Sequence, residues 1–267
     1  MKKSKLVGIL NITPDSFSDG GKFNTGVFAA KQLEQIIGAG PDIIDIGAIS
    51  TRPNACVPSS QEEIFRFKTV LPEITPILKQ TNIKISIDSF HSETVAYLLD
   101  KINIDWINDQ KSGADKKMIS LAIENNLNYM IMHHLTIPAD PKIFINQEED
   151  VIEIVKNWLM EKAKILLEFG MKKNQIILDP GIGFGKTAEQ SWKLIREAES
   201  FLNTGFQILY GHSRKSFLNT VTNKPFIDRD FETSVISSFL SSKGIDYLRV
   251  HDVELSKRAI KLKEYME

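Results

Sequence analysis

The chain has 267 residues, a length that is ordinary for one α/β barrel and long for two small domains. Its content of 42% hydrophobic and 25% charged residues is typical of a globular enzyme with a large buried core. A formal net charge of -1 argues against a function that depends on bulk attraction to nucleic acid or to a membrane surface.

The cysteine content and the N-terminus bear on location. Cys56 is the only cysteine, so it cannot form an internal disulfide, and this usage is typical of a reducing compartment. The apolar run LVGIL at residues 6–10 is too short for the hydrophobic region of a secretory signal. No stretch approaches the ~20 apolar residues that span a bilayer. We therefore expect a cytoplasmic protein that binds neither membranes nor nucleic acid.

The predicted elements repeat one unit, in which a short apolar run ends in a polar residue and precedes a segment with helical periodicity. The apolar runs read, in chain order, KLVGIL, DIIDIG, IKISID, DWIND, NYMIM, QIILD, QILYG and DYLRV. The helical segments lie at 27–39, 61–80, 92–101, 115–126, 149–169, 190–203, 231–243 and 254–266. Continuous apolar runs indicate strands that are buried on both faces of a parallel sheet.

Eight strand–helix units in a chain of this length predict an α/β fold, a (β/α)8 TIM barrel, as a single domain over residues 1–267. A doubly wound open sheet is the alternative, although it usually contains fewer strands. The segment SQEE at 60–63 predicts a capping box at a helix start, and Gly170 suits the end of the helix predicted at 149–169. Pro72 and Pro76 are expected to bend or divide the helix predicted at 61–80.

Polar residues end all eight apolar runs. They are Asn11, the Asp45–Gly47 pair, Asp88, Asn108, His133 with His134, Asp179, the group His212 to Lys215, and Arg249 with His251. For any single Asp or Asn, capping of the next helix or solvation of a loop is the more common reason. Capping and solvation do not readily explain why all eight runs end in polar residues. In a barrel, the carboxyl ends of the strands carry the catalytic groups, so these residues are candidates for an active site.

The candidates divide by charge. Asp88, Asn108 and Asp179 offer carboxylate and amide groups that suit a ligand rich in N–H donors, such as an aminopyrimidinone ring. A basic set suits phosphate or carboxylate. Its members are Arg52, Lys215, Arg249 and His251. A ligand with a donor-rich heterocycle at one end and phosphates at the other would satisfy both sets.

The glycine-rich segment DPGIGFGKT resembles a phosphate-binding P-loop only at its end. That motif requires a glycine five positions before Gly185, where Pro180 stands. We interpret the glycines as a tight turn in which Asp179 and Phe184 approach a ligand. His133 and His134 are adjacent, so in an extended segment they should point in opposite directions, and no other histidine has zinc spacing.

Seven segments together resemble, in order, the signature blocks of the dihydropteroate synthase family. They are GILNITPDSFSDGG, IDIGAISTRP, ISIDS, WIND, LDPGIGFGKT, GHSRKSF and RVHDV, and together they extend over nearly the whole chain. The resemblance implies a (β/α)8 barrel that joins p-aminobenzoate to 6-hydroxymethyl-7,8-dihydropterin diphosphate. The products would be 7,8-dihydropteroate and diphosphate, with Mg²⁺ as cofactor, and the family is usually homodimeric.

The resemblance also implies roles for individual residues. The pterin pocket is matched by Asp88, Asn108, Asp179 and Lys215, with Phe184 near the ring. The diphosphate positions are matched by Thr51, Arg52, Arg249 and His251. Asn11 matches the position tied to Mg²⁺, a hard cation that keeps most of its waters and binds substrate phosphate oxygens. The p-aminobenzoate positions are matched by Phe17, Asp19, Pro53 and Ser216.

In the family, the segment after Asn11 is a loop that closes over the site once diphosphate and metal are bound, which excludes water. Asp15 or Asp19 would then meet the metal or the incoming amine, and Phe17 would cover the aromatic ring. The implied mechanism breaks the bond between the pterin methylene and diphosphate early. Arg52, Arg249, His251 and Mg²⁺ would stabilise the departing charge before the amine attacks.

The sequence departs from the family pattern at three places. Ala48, Ile49 and Asn54 replace two glycines and a glutamate of the second block, and AEQSW follows GFGKT in place of the usual His-Asn. His134 stands where a methionine wall of the pterin pocket is expected. A non-catalytic pterin-binding paralogue is therefore an alternative to the synthase. A pterin-binding methyltransferase domain is a third, but it would have little use for STRP and SRKSF.

Overall fold

The computed structural model describes residues 3–13, 25–51 and 55–266, and its strands form a closed barrel. The eight parallel strands are β1 (Lys5–Asn11), β2 (Ile43–Gly47), β3 (Lys84–Asp88), β4 (Trp106–Asp109), β5 (Asn128–Met132), β6 (Ile176–Asp179), β7 (Gln207–Tyr210) and β8 (Tyr247–Val250). Each strand pairs with the next in sequence, and β8 pairs with β1. The predicted TIM barrel is confirmed, and the open-sheet alternative is wrong.

A helix follows every strand within the described residues. The helices are α1 (Thr25–Ala39), α2 (Ser60–Leu78), α3 (Ser92–Leu99), α4 (Lys116–Glu124), α5 (Val151–Glu168), α6 (Ala188–Arg196), α7 (Asp230–Ser242) and α8 (Val253–Glu264). The main apolar core lies between these helices and the outer face of the barrel. No helix in the described part of the chain is long and apolar enough to cross a membrane.

Alternation along the strands determines what faces the barrel interior. A separate apolar layer fills its floor, formed by Val7, Ile43, Trp106, Met130, Ile177, Leu209 and Tyr247. Polar residues follow two positions later on four of these strands, and they are Asp45, Asn108, Asp179 and Arg249. Because side chains two positions apart share a face, these polar groups lie directly above the floor, at the carboxyl end of the barrel.

Three local predictions have distinct outcomes. Gly170 follows α5 with φ +101°, a conformation that glycine adopts without steric cost, as predicted. The N-cap of α2 is Ser59, whose hydroxyl accepts from the Glu62 N–H at 3.2 Å, so the capping box predicted at Ser60 was wrong by one residue. Pro72 and Pro76 do not divide this helix, so that part of the prediction is wrong, while a bend there stays a prediction. Both prolines lie on its exposed side, where water can reach carbonyls that they leave unbonded.

Candidate functional site

The polar ends of β2, β3, β4 and β8 meet in one hydrogen-bonded network inside the barrel. Arg249 donates from Nε to Asp45 Oδ2 at 2.6 Å and from Nη2 to Asp88 Oδ2 at 2.7 Å. Asn108 Nδ2 donates to the same Asp45 oxygen at 3.0 Å. All four residues belong to barrel strands, so the barrel itself fixes their positions. Arg249 compensates the negative charge of two carboxylates that would otherwise repel each other.

Asp88 is held on both carboxylate oxygens. Gln110 Nε2 donates to Asp88 Oδ1 at 2.8 Å, and Thr51 Oγ1 donates to Gln110 Oε1 at 2.7 Å. Burial raises the pKa of Asp88 to about 7, although Arg249 acts to lower this pKa and Asp45 to raise it. Burial thus favours the protonated form of Asp88, and the Arg249 guanidinium favours the ionised form. A ligand that presents N–H donors would favour the ionised form.

The end of β6 places a third carboxylate at the mouth. Asp179 Oδ1 accepts the backbone N–H of Gly181 at 2.7 Å, which closes a turn directly after the strand. Gly181 has φ +67°, and a Cβ atom there would lie 1.9 Å from the backbone oxygen of His133. Only glycine fits this position. Burial raises the pKa of Asp179, whereas Lys215 lowers it.

Lys215, in the loop after β7, reaches the glycine turn and lies beside Phe184. The ammonium Nζ of Lys215 donates to the backbone oxygen of Ile182 at 2.5 Å and lies 4.7 Å from the centre of the Phe184 ring. Burial lowers the pKa of Lys215 to about 8, while Asp179 acts to raise this pKa. Met132 packs against Phe184 in a small apolar cluster. The pair thus offers a cation and an aromatic face beside Asp179.

A buried lysine supports the same turn from the other side. Lys186 Nζ donates to the backbone oxygen of Phe184 at 2.9 Å and lies 2.8 Å from Nδ1 of His133. Burial lowers the pKa of Lys186 well below its ordinary value. These contacts connect the end of β5 to the turn that carries Phe184.

The two histidines after β5 both contact the ring of Trp158 on α5. The ring centres of His133 and His134 lie 5.0 Å and 5.4 Å from it. The predicted opposite directions are therefore wrong, because β5 ends at Met132 and strand alternation stops there. His134 Nδ1 also bonds to the backbone oxygen of Met132 at 3.1 Å. A role for His134 at the pterin ring stays a prediction.

The remaining predicted residues lie around the mouth. Ser213 Oγ lies 2.9 Å from Nδ1 of His251, which joins the loop after β7 to the end of β8. Asn11 ends β1, paired in register with Gly47 of β2. Ser216 follows Lys215 and lines a cavity of about 440 Å³ together with residues of the glycine turn.

Four predicted residues lie outside the described part of the chain, namely Phe17, Asp19, Arg52 and Pro53, as do Asp15 and Asn54. Among the described residues, no group of three or more His, Cys, Asp or Glu side chains could hold a metal ion. Asn11 offers a single amide oxygen, a hard donor that suits a Mg²⁺ ion with mostly water and phosphate ligands.

Three residues of the site received no specific role from the sequence, namely Asp45, which was only one of the polar candidates, and Gln110 and Lys186, which were not singled out. Asp45 was visible as a polar residue in an apolar strand, two positions after Ile43. Gln110 follows the segment WIND and Lys186 lies within LDPGIGFGKT, but nothing in the sequence indicates that their polar ends turn inward. The assembled site combines acceptors on the barrel wall with an aromatic face and cations at the rim. Such a site can bind a flat ring with N–H donors and hold an anion beside it.

Comparison with known proteins agrees with this geometry. A family model described as pterin binding enzyme matches residues 7–251. The dihydropteroate synthase of Clostridium beijerinckii is 38% identical over 264 residues, covering 98% of this chain and 93% of that protein. The crystal structure of dihydropteroate synthase from Anaplasma phagocytophilum with bound 6-hydroxymethylpterin-monophosphate has a TM-score of 0.89 at 33% identity, covering 100% of both chains. Xanthomonas albilineans dihydropteroate synthase with 4-aminobenzoic acid gives 0.89 at 27% identity, covering 99% and 93%.

Proposed function

Because this chain belongs to the dihydropteroate synthases of the pterin-binding enzyme family, we propose that it makes 7,8-dihydropteroate at the mouth of its barrel. Its substrates would be 6-hydroxymethyl-7,8-dihydropterin diphosphate and p-aminobenzoate, and its second product diphosphate. The observation that carries the proposal is the set of buried acceptors above the barrel floor, beside Phe184 and Lys215. This set consists of Asp88, Asn108 and Asp179, each of which is less than 10% exposed.

The acceptors suit the pterin ring because the ring presents several N–H donors in one plane. An ionised carboxylate has about four acceptor positions, and Asp88 uses two of them for Arg249 and Gln110. Two remain for ring N–H groups. Asp179 uses one for Gly181 and keeps others. The ring would lie above the apolar floor with Phe184 beside it.

The cations at the rim suit the diphosphate. Arg249 has five N–H donors, of which two are directed at Asp45 and Asp88, so a bound phosphate can take others without breaking the network. His251 follows Arg249 by two residues and is positioned by Ser213. Arg52 stays a predicted partner. As charge develops on the departing diphosphate, these fixed cations stabilise it without reorganising.

The reaction joins the pterin methylene carbon to the nitrogen of p-aminobenzoate. We expect the carbon–oxygen bond to diphosphate to break before the amine attacks, because the electron-rich ring stabilises a positive methylene. The carboxylates of Asp88 and Asp179 favour that positive charge from the opposite end of the ring. The amine then donates its electron pair to the carbon and releases a proton. The cavity beside Ser216 leaves room for the benzoate.

Mg²⁺ is part of the proposal through Asn11, whose amide oxygen fits a hard cation. When bound, Mg²⁺ would neutralise charge on the diphosphate oxygens. We also propose a cytoplasmic location, which rests on the single cysteine, Cys56, a free and exposed thiol.

The experiment is diphosphate release by the purified protein with both substrates and Mg²⁺, omitting each component in turn. We expect release that requires p-aminobenzoate and yields dihydropteroate, and a sulfonamide mimic of p-aminobenzoate should compete. If the pterin binds but no dihydropteroate appears, the protein is a non-catalytic paralogue. Lys215→Ala should weaken pterin binding at least tenfold, an effect of about 1.4 kcal/mol. Near-normal turnover by that variant would refute the role of Lys215.

We further propose that the chain forms a homodimer, as its family resemblance implies. In this proposal the two copies pair through α7. One side of this helix exposes an apolar stripe of Phe231, Val235 and Phe239, spaced four residues apart, with Leu262 of α8 also exposed. Apolar stripes of this kind mark interaction surfaces. Phe231→Glu should shift the protein to monomer in analytical ultracentrifugation. Phe65→Glu on α2 is the matched control, because Phe65 is 65% exposed and Phe231 is 64% exposed.

A further inference from the structure

Arg214 has a backbone conformation that is unusual for its residue type. It lies between Ser213 and Lys215 with φ +60°, in the left-handed region that glycine adopts freely. For a residue with a long side chain this conformation is unfavourable, and it persists only when surrounding contacts impose it. Glycine would meet the geometric need at this position. The presence of arginine therefore indicates that its side chain has a use.

The side chain of Arg214 is fixed by the first residue of α7. Its Nε and Nη2 atoms donate to the two carboxylate oxygens of Asp230 at 2.7 Å and 2.5 Å, a bidentate ion pair. The two side chains are only 19% and 20% exposed. The backbone N–H of Arg214 donates to Thr233 Oγ1 at 3.1 Å, one turn further along the same helix. Both the side chain and the backbone of Arg214 are thus attached to the start of α7.

A second arginine holds the far side of Lys215. Buried Arg229, the residue before α7, donates from Nη1 to the backbone oxygen of Lys215 at 3.1 Å. Its Nη2 atom donates to Asn219 Oδ1 at 2.5 Å, in the short helical turn after Lys215. Residues 229–233 therefore hold Arg214 and the backbone of Lys215, while the ammonium of Lys215 is directed across the mouth to Ile182.

We propose that the Arg214–Asp230 pair is a positioning device that directs the ammonium of Lys215 at the glycine turn and the pterin ring. An exposed ion pair on a loop would contribute little, because water screens it and two long side chains lose freedom. This pair differs in three respects: it is bidentate, it is four-fifths buried, and it holds a left-handed residue next to a binding lysine. The inference rests on the proposed function, since it deepens the role of Lys215.

The test uses Asp230→Asn and Arg214→Gly, singly and together. Asn keeps the size of Asp230 but removes its charge, and Gly keeps the left-handed backbone but removes the guanidinium. Asp228→Asn is the matched control, because Asp228 is exposed and lies two residues away. The readouts are the dissociation constant for 6-hydroxymethylpterin monophosphate, KM and kcat of the full reaction, the melting temperature, and hydrogen exchange of the amides at 212–217.

Each single variant should weaken pterin binding and raise the pterin KM about tenfold, with faster exchange at 212–217 and a smaller change in kcat. The double variant should bind the pterin no more weakly than either single variant, because the two substitutions remove the same interaction. Asp228→Asn should stay within about twofold of the parent protein. Unchanged exchange and binding, or single effects that multiply to about a hundredfold in the double variant, would overturn the proposal.

A purely structural role would lower the melting temperature of the variants and leave binding, KM and local exchange unchanged well below that temperature. This outcome also counts against the proposal. Failure of the proposed function is recognised separately, because it would show as absence of dihydropteroate with the parent protein. Exchange at 212–217 would still test the pair in that case, since this readout needs no turnover.

Discussion

Replacing Gly181 with Ala should damage both stability and the site, through two separable effects. The first is backbone strain, since Gly181 has φ +67° and a left-handed conformation costs a residue with a Cβ about 1–2 kcal/mol. The second is a collision, since the Cβ atom would lie 1.9 Å from the backbone oxygen of His133. A backbone oxygen cannot rotate away, so β5 or the turn must shift, at a cost of about 1–3 kcal/mol.

The expected loss in free energy of unfolding is therefore about 3 kcal/mol, measured by urea denaturation. Gly183→Ala is the matched control, because Gly183 also has positive φ, at +80°, in the same turn. A Cβ atom there would meet only the Lys215 Cδ atom, at an ordinary contact distance of 3.5 Å. The control should show the strain alone, about 1 kcal/mol. The difference between the two variants then measures the collision.

Pterin binding should respond in the same order. The Gly181 N–H donates to Asp179 at 2.7 Å, so a shift of the turn moves a carboxylate that we expect to hold the ring. The Gly181→Ala variant should bind 6-hydroxymethylpterin monophosphate more weakly than Gly183→Ala does. Equal losses of stability in the two variants would contradict the reasoning, because they would show that the close approach to His133 is not rigid.

Three further predictions concern buried charges. Pterin affinity should rise as pH increases from 6 to about 7.5, because the pKa of Asp88 is about 7 and only its ionised form accepts two ring N–H groups. Calorimetry should show that the affinity of Asp88→Asn for the pterin depends less on pH. The same pKa lies above the value of about 3.9 for an unfolded chain, so the folded state retains this proton longer and the Asp88 contribution to stability should fall between pH 4 and 7. Urea titrations give this contribution as the difference in free energy of unfolding between the parent protein and Asp88→Asn. A difference that does not change with pH would exclude the predicted contribution. Lys186→Met should lower the free energy of unfolding by about 2 kcal/mol, because the Phe184 carbonyl loses its donor, whereas exposed Lys117→Met should stay within about 0.5 kcal/mol.

The fold could be predicted because two separate signals in the sequence mark each strand. It appears as an apolar run and again as the polar residue that ends that run. The same rule anticipated much of the site: Asp88, Asn108, Asp179 and Arg249 all lie inside the barrel because they occupy interior positions above its floor. Period-two geometry connects sequence position directly to direction in a strand.

Prediction was weaker wherever direction depends on loop conformation. Lys186 would ordinarily be assigned to the surface, yet it is buried because two carbonyls and His133 Nδ1 surround its ammonium. The direction of the His134 ring could not be obtained from alternation, since the strand has already ended at Met132. For Gln110, neither spacing nor residue type distinguishes an inward amide from an exposed one.

The contact between Asp45 and Arg249 also bears on how the chain folds. It joins residues 204 positions apart, on the second and the last strand, so it can form only after β8 has docked. A barrel without β8 would leave Asp45 and Asp88 side by side without their counter-ion, which is electrostatically unfavourable. The closing strand therefore delivers the neutralising charge. Contacts of such long range slow folding, and this one links the electrostatic balance of the site to closure of the barrel.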